Sequence, residues 1–143
     1  MPTKMEELYV AQVNAKMTQL NLRKRYIDNP KSLDQIATHC DGIFLILDQI
    51  KDIQKICLSI KMTPTPDEII LEIEKDRDLN ATNFAIAAAD LNIEKVKAIS
   101  NEKKREKLLD DAKMLIIDAK KLVRGQEFLD KLEAKMTELK SIG

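Results

Sequence analysis

Residues 107–140 read KLLDDAKMLIIDAKKLVRGQEFLDKLEAKMTELK, and this stretch decides the fold class. Its large apolar side chains return every seven positions, at Leu108, Leu115, Leu122, Leu129 and Met136. A repeat of this kind, filled in at intervals of three and four, lines one face of an α-helix. We therefore predict a long last helix over residues 102–141. Gly125 lies near its middle, and the pattern leaves open whether the helix is continuous or breaks there.

Three segments upstream of this helix repeat the same apolar spacing. They predict helices over residues 4–27, 32–61 and 66–100. Pro30 and the segment Thr63–Pro66 separate them. Ser32 and Thr65 offer hydroxyl groups as N-caps. Four helices joined by short links predict an all-α fold, an antiparallel up-down four-helix bundle that forms one domain over residues 1–143.

The composition supports this fold class and argues against several functions. Hydrophobic residues make up 44% of the 143 residues and aromatic residues 3%, so aliphatic side chains build the core. Basic and acidic residues number 24 each, which leaves no net charge to attract nucleic acid. No run approaches the roughly 20 apolar residues of a membrane span.

The N-terminal residues and the cysteines predict a cytoplasmic protein. Residues 1–7 are too polar for a secretory signal. Cys40 and Cys57 would lie about 25 Å apart on one helix. A disulfide requires α-carbons within roughly 7 Å of each other. We therefore expect two reduced thiols, as is usual in the cytoplasm.

The sequence contains no complete catalytic, cofactor-binding or metal-binding motif. The segment Asp76–Thr82 carries the alternating oxygen atoms of a calcium loop. It lacks the glycine and the glutamate that such a loop needs at its sixth and twelfth positions, where Ala81 and Ala87 stand. We expect a protein without enzymatic activity, cofactor or metal.

His39 is the single histidine, and it suggests an alternative function. A helical bundle with one histidine resembles the histidine-phosphotransfer domains, which carry the motif His-x-Leu-Lys-Gly. Here the run is His39-Cys40-Asp41-Gly42-Ile43, in which no lysine follows the histidine. The carboxylate of Asp41 would repel a phosphoryl group. Phosphotransfer through His39 is therefore kept only as an alternative.

The segment Leu109–Val123 resembles the last helix of the focal-adhesion-targeting domains of focal adhesion kinases. That helix carries the run Leu-x-x-Ala-x-x-Leu-x-Val-Asp-Ala-Lys-x-Leu-Leu, and this chain has LDDAKMLIIDAKKLV. Upstream, the stretches Glu72–Glu74 and Leu79–Asn80 fall at nearly the spacing that the family shows before its fourth helix. The Asp-Ala-Lys core also recurs in vinculin- and talin-like bundles. The resemblance implies a four-helix bundle of this type.

The resemblance also implies a function as a protein-protein interaction module or scaffold. Such domains bind the amphipathic, leucine-rich, acidic helices of paxillin-like adaptors in a groove between two bundle helices. By position, Lys113 and Lys120 would form the rim of the groove and meet the acidic side chains. Ile116 and Val123 would form its apolar floor. The implied partner is a protein helix, and the composition predicts no nucleic-acid partner and no membrane span.

Self-association is a third possibility. The apolar stripe of the last helix continues beyond Gly125, where it could extend past the bundle. A stripe of this kind pairs with another helix in a coiled coil. The alternative function is then a structural bundle that forms a homodimer through its C-terminal helix.

Overall fold

The computed structural model describes residues 3–142, and within that range it contains five α-helices and no β-strand. The helices are α1 (Lys4–Asp28), α2 (Leu33–Ile56), α3 (Pro66–Ala98), α4 (Glu102–Leu122) and α5 (Gln126–Ile142). The predicted all-α class is confirmed, whereas the antiparallel four-helix topology is not. The predicted last helix is two helices, because the chain leaves helical geometry between Leu122 and Gln126.

Side-chain caps define the starts of the helices. The hydroxyl of Ser32 accepts a hydrogen bond from the Gln35 N–H at 3.1 Å, as the sequence predicts. Thr65 and Glu68 form a reciprocal pair, in which each side chain accepts a hydrogen bond from the other residue's backbone N–H. Replacing such a cap with alanine typically costs about 1 kcal/mol.

The second helix ends at Ile56 instead of residue 61. The backbone N–H of Cys57 still donates to the Ile53 carbonyl, and the chain then leaves the helix. Cys57 and Ile60 both turn inward and are buried, and the Gln54 side chain donates to the Ile60 carbonyl. The apolar spacing extends the prediction to residue 61, because buried residues in an irregular segment mimic a helical stripe.

The chain divides into two compact units, of which the first ends at Asp76 and the second begins at Arg77. The helix α3 contributes its N-terminal part to the first unit and the rest to the second. A compact unit is not the same as an independently folding domain. One domain over residues 1–143 therefore stays a prediction.

The first unit packs α1, α2 and the start of α3 around an aliphatic core. Lys16 of α1 donates to Gln49 of α2, and Arg23 lies beside His39, so these two helices run antiparallel. The core consists of Val13, Leu20, Ile27, Ile36, Ile43, Leu47, Ile50, Ile69 and Ile73. Each fully buried leucine or isoleucine contributes roughly 1.5–3 kcal/mol.

The second unit packs the remainder of α3 against α4 and α5. Asn92 of α3 donates to the Leu108 carbonyl of α4 at 3.0 Å, and Lys135 of α5 donates to Asp90 of α3 at 2.6 Å. The core combines large aliphatic residues with small ones: Ala81, Ala85, Ala89, Ala112, Ile116, Ala119, Leu132 and Leu139. Small side chains at these positions let the helices approach closely.

A buried carboxylate holds the link between α4 and α5. The two oxygens of Asp78 accept hydrogen bonds from the backbone N–H groups of Arg124, at 3.2 Å, and Gly125, at 2.7 Å. A β-carbon at Gly125 would lie 3.1 Å from Asp78 Oδ2 and 3.0 Å from the Phe128 ring. The close approach of the carboxylate and the ring therefore favours glycine at the point where α4 and α5 separate.

No helix among residues 3–142 combines the length and the apolar character needed to cross a membrane.

Candidate functional site

The α4 helix presents two large apolar side chains to solvent between lysines. Met114 is 53% exposed and Ile117 is 38% exposed. Lys113 precedes them, and Lys120 and Lys121 follow them. We call these five residues the α4 strip. Residues three and four positions apart share a face of a helix, so Lys113, Ile117 and Lys120 lie in one row.

Lys120 is tied to the neighbouring helix. Its Nζ forms an ion pair with Glu133 of α5, and this hydrogen bond holds the pKa of the Glu133 carboxyl below its ordinary value. Ion pairs between exposed side chains contribute little to stability, because water and salt screen them. A carboxylate from another molecule can therefore replace Glu133 at low cost.

Lys113 lies at the edge of a polar groove. The groove encloses about 630 Å³ between the start of α4 and the end of α5. Glu106, Leu109 and Asp110 line it beside Lys113, and Ile142 closes it from α5. The lysine is half-buried, so its stem packs against the helix while its ammonium group reaches solvent.

Ile116 and Val123 lie beneath this surface and not on it. Ile116 is 0% exposed and Val123 is 2% exposed, so both belong to the core of the second unit. The structure therefore brings Lys113 and Lys120 together on one face and separates both from the two apolar residues that the resemblance implies. The sequence contains a signal for this burial. Apolar residues recur along α4 at intervals of three and four, and all of them are buried: Leu109, Ala112, Ile116, Ala119 and Val123. Met114 and Ile117 lie outside that spacing, and the resemblance does not imply a role for them.

His39 is half-buried among residues of α1. Its ring stacks on the Tyr26 ring with a centroid distance of 4.5 Å and an interplanar angle of 9°. Its Nδ1 lies 3.3 Å from a guanidinium nitrogen of Arg23. Burial, and then the charge of Arg23, lowers the pKa of His39. These contacts describe a histidine packed between helices, and phosphotransfer through it stays an untested prediction.

Gly42 gives room to Arg23. A β-carbon at Gly42 would lie 2.5 Å from the Arg23 guanidinium carbon, so the side chain of α1 occupies the space that the glycine leaves. In the phosphotransfer interpretation, the glycine would make room for a partner protein. In this structure, the arginine of the chain itself fills that space.

The apolar stripe beyond Gly125 packs into the second unit. Leu132, Met136 and Leu139 are buried, and Leu129 is half-buried. The side chains that would form a dimer seam are thus used in the contacts of α5 with its own unit. The homodimer stays a prediction, and this stripe offers it little exposed surface.

No group of three or more His, Cys, Asp or Glu side chains that could hold a metal ion comes together in residues 3–142. The segment that resembles a calcium loop lies within α3. Its residue Asp78 binds backbone N–H groups of the α4–α5 link.

Comparison with known proteins finds no matching family model, no matching curated protein and no matching solved structure.

Proposed function

We propose that this protein is a non-enzymatic interaction module that binds an amphipathic, leucine-rich, acidic helix of a partner protein along the α4 strip. The observation that carries the proposal is the exposure of Met114 and Ile117 between Lys113 and the pair Lys120–Lys121. Large apolar side chains with lysines before and after them suit the leucines and carboxylates of such a helix, and the exposed Asp111 and Asp118 beside Met114 limit where its carboxylates can lie.

On binding, contacts of α4 with water and with Glu133 would be replaced by contacts with the partner. Leucines of the partner would remove water from Met114 and Ile117, and each buried methylene group contributes roughly 0.8 kcal/mol. A carboxylate of the partner would take the place of Glu133 beside Lys120. Because the strip is short and Glu133 competes for the lysine, we expect a dissociation constant on the order of 10–100 μM.

The resemblance to focal-adhesion-targeting domains agrees with this proposal but does not carry it. Lys113 and Lys120 keep their implied contacts with acidic side chains. Met114 and Ile117 take over the apolar contacts, and Ile116 and Val123 support the strip from inside the unit. The four-helix topology, a role in adhesion or cytoskeletal scaffolding and a cytoplasmic location belong to the same proposal.

The test is a titration of the full chain with a designed helical peptide that carries leucines on one face and glutamates beside them. We expect saturable binding, measured by fluorescence anisotropy. Ile117→Ser and Lys120→Glu should each weaken it about tenfold. Lys95→Glu, at an exposed position of α3, makes the same change in charge and should leave the affinity within about twofold.

Equal affinity of the wild-type chain and the Lys120→Glu variant would show that the α4 strip is not the binding site. Equal weakening by Lys95→Glu would show that only the total charge of the chain matters. Concentration-dependent mass of the chain without peptide would favour self-association. Acid-labile phosphate on His39 after incubation with a phosphodonor would favour phosphotransfer.

A further inference from the structure

The outer face of α1 carries a long stripe without a charged residue. It consists of Met5, Leu8, Gln12, Ala15, Gln19, Leu22 and Tyr26, all of which are exposed. We call these seven residues the α1 stripe. Their spacing alternates between three and four, which is the pattern of positions a and d in a coiled coil. At 1.5 Å per residue the stripe extends for roughly 30 Å.

The core of the first unit does not use this stripe. The buried residues of α1 are Val13, Leu20 and Ile27, which repeat every seven positions on a different face. The helix therefore carries two heptad stripes, of which the apolar one packs inside the unit and the uncharged α1 stripe faces solvent. An isolated exposed leucine needs no explanation, but four large apolar side chains exposed along one uncharged stripe indicate a contact surface.

The α1 stripe borders α2, as two contacts show. Tyr26, at the end of the stripe, stacks on His39 of α2. Lys16, next to Ala15, donates to Gln49 of α2 at 2.9 Å. The surface therefore continues from one helix to the next.

Helix α2 adds apolar residues and carboxylates to this surface. Leu45 is 59% exposed and Ile56 is 66% exposed, and they lie four positions before and seven positions after Gln49, on the same face. Asp34, Asp41 and Asp48 are exposed beside them and repeat every seven positions. The surface is thus uncharged along α1, carries Lys16 and Arg23 where α1 meets α2, and is acidic along the far side of α2.

We propose that this surface is a second docking site, and that its occupant is an amphipathic helix of a partner protein with lysine or arginine along one edge. The heptad spacing of the α1 stripe fits the apolar positions of a helix lying parallel or antiparallel to α1. The carboxylates of Asp34, Asp41 and Asp48 require basic residues on the edge of that helix that faces α2. Gln12 and Gln19 supply amides in the middle of the stripe, where one polar residue fixes the register of the partner.

The experiment compares two designed helical peptides with identical leucines at positions a and d. One carries lysines along one edge, and the other carries glutamates there. Read from the backbone amide signals of residues 5–26, so that binding of the glutamate peptide at the α4 strip is not counted, the full chain should bind the lysine peptide at least about tenfold more tightly than the glutamate peptide. The double variant Leu8→Ser, Leu22→Ser should bind the lysine peptide about tenfold more weakly, because the apolar contacts are lost.

Charge reversal on α2 distinguishes this surface from the rest of the chain. Asp41→Lys with Asp48→Lys should reverse the preference, so that the glutamate peptide binds more tightly. Glu94→Lys with Glu127→Lys makes the same change in total charge at exposed positions of the second unit. This control should keep the preference for the lysine peptide within about twofold.

Three results would overturn the proposal. Equal affinity for both peptides would show that the carboxylates of α2 do not contribute to recognition. Loss of the preference in the Glu94→Lys, Glu127→Lys control would mean that the total charge decides it. Sedimentation showing a dimer that the Leu8→Ser, Leu22→Ser variant abolishes would identify a second copy of this chain as the occupant. Circular dichroism of each variant confirms that the helices are retained.

Discussion

The two units of the molecule are built alike inside and differ outside. Each packs helical segments around aliphatic residues. The first contains ten basic and twelve acidic residues, a net charge of −2, and the second contains fourteen basic and twelve acidic residues, a net charge of +2. The first exposes the long α1 stripe beside carboxylates, and the second exposes the short α4 strip between lysines. The balanced total charge therefore conceals opposite net charges in the two units.

The links between helices show a second difference. In the first unit, the start of α3 is held by its own neighbours Thr65 and Glu68. In the second, the link between α4 and α5 is held by Asp78, which lies 47 positions before Gly125 in the sequence. Local caps can be recognised in a sequence, whereas a distant carboxylate cannot.

Asp78→Ala should cause the largest loss of stability, about 3–4 kcal/mol in the free energy of unfolding. It leaves two backbone N–H groups of the link without an acceptor and removes the ionic partner of Arg77, whose Nε lies 3.1 Å from Asp78 Oδ1. Denaturation by urea measures the effect. Glu68→Ala, at the local cap of the first unit, should cost only about 1 kcal/mol. Equal losses would contradict the distinction between the two links.

Gly125→Ala should destabilise the protein by about 1–2 kcal/mol, because its β-carbon would meet both Asp78 and Phe128. Gly42→Ala in the first unit should have almost no net effect. The flexible end of Arg23 can move away, and alanine gains about 1 kcal/mol over glycine within a helix. Thermal unfolding of both variants tests this contrast, and a larger loss at Gly42 would refute it.

Thr82→Val should leave the stability unchanged or raise it by up to about 1 kcal/mol. The side chain is fully buried, and its hydroxyl has no hydrogen-bond partner within the described residues. Valine has nearly the same shape without the hydroxyl. The matched change in the first unit is Thr18→Val on the exposed face of α1, which should shift the unfolding midpoint in urea very little. A clear loss at Thr82 would reveal a partner for its hydroxyl.

His39 should make stability depend on pH. Burial, and then Arg23, lowers its pKa in the folded state, so the unfolded state binds a proton more readily. The stabilisation is present above the unfolded pKa of about 6.5 and is lost as the pH falls through the folded value. The stability difference between the wild type and His39→Gln should therefore shrink as the pH falls from about 7.5 to 5. A growing difference would contradict the described environment of the histidine.

Local signals predict much of the fold. Ser32 and Thr65 are found as caps, and the helical spacing identifies the starts of the helices within a residue or two. The end of α2 is missed because Cys57 and Ile60 continue an apolar pattern outside a helix. The sequence does not decide whether the last helix breaks at Gly125, because the break depends on the carboxylate of Asp78 in α3.

The candidate site is predicted less well than the fold. Lys113 and Lys120 are placed on the surface of α4, but Ile116 and Val123 are in the core. Which of several apolar residues on one helix stays exposed depends on where the neighbouring helices pack. That packing is set by residues far away in the sequence, so helical spacing alone does not separate Ile117 from Ile116.

Nuclear magnetic resonance of the isotope-labelled chain, during titration with the acidic leucine-rich peptide, identifies the residues that the peptide contacts. We expect saturable shifts in the backbone amide signals of residues 113–121, with the largest changes at Met114, Ile117 and Lys120. Signals of the first unit should remain in place. Saturable shifts confined to the first unit, or no saturable shifts at millimolar peptide, would contradict the assignment of the α4 strip as a helix-binding surface.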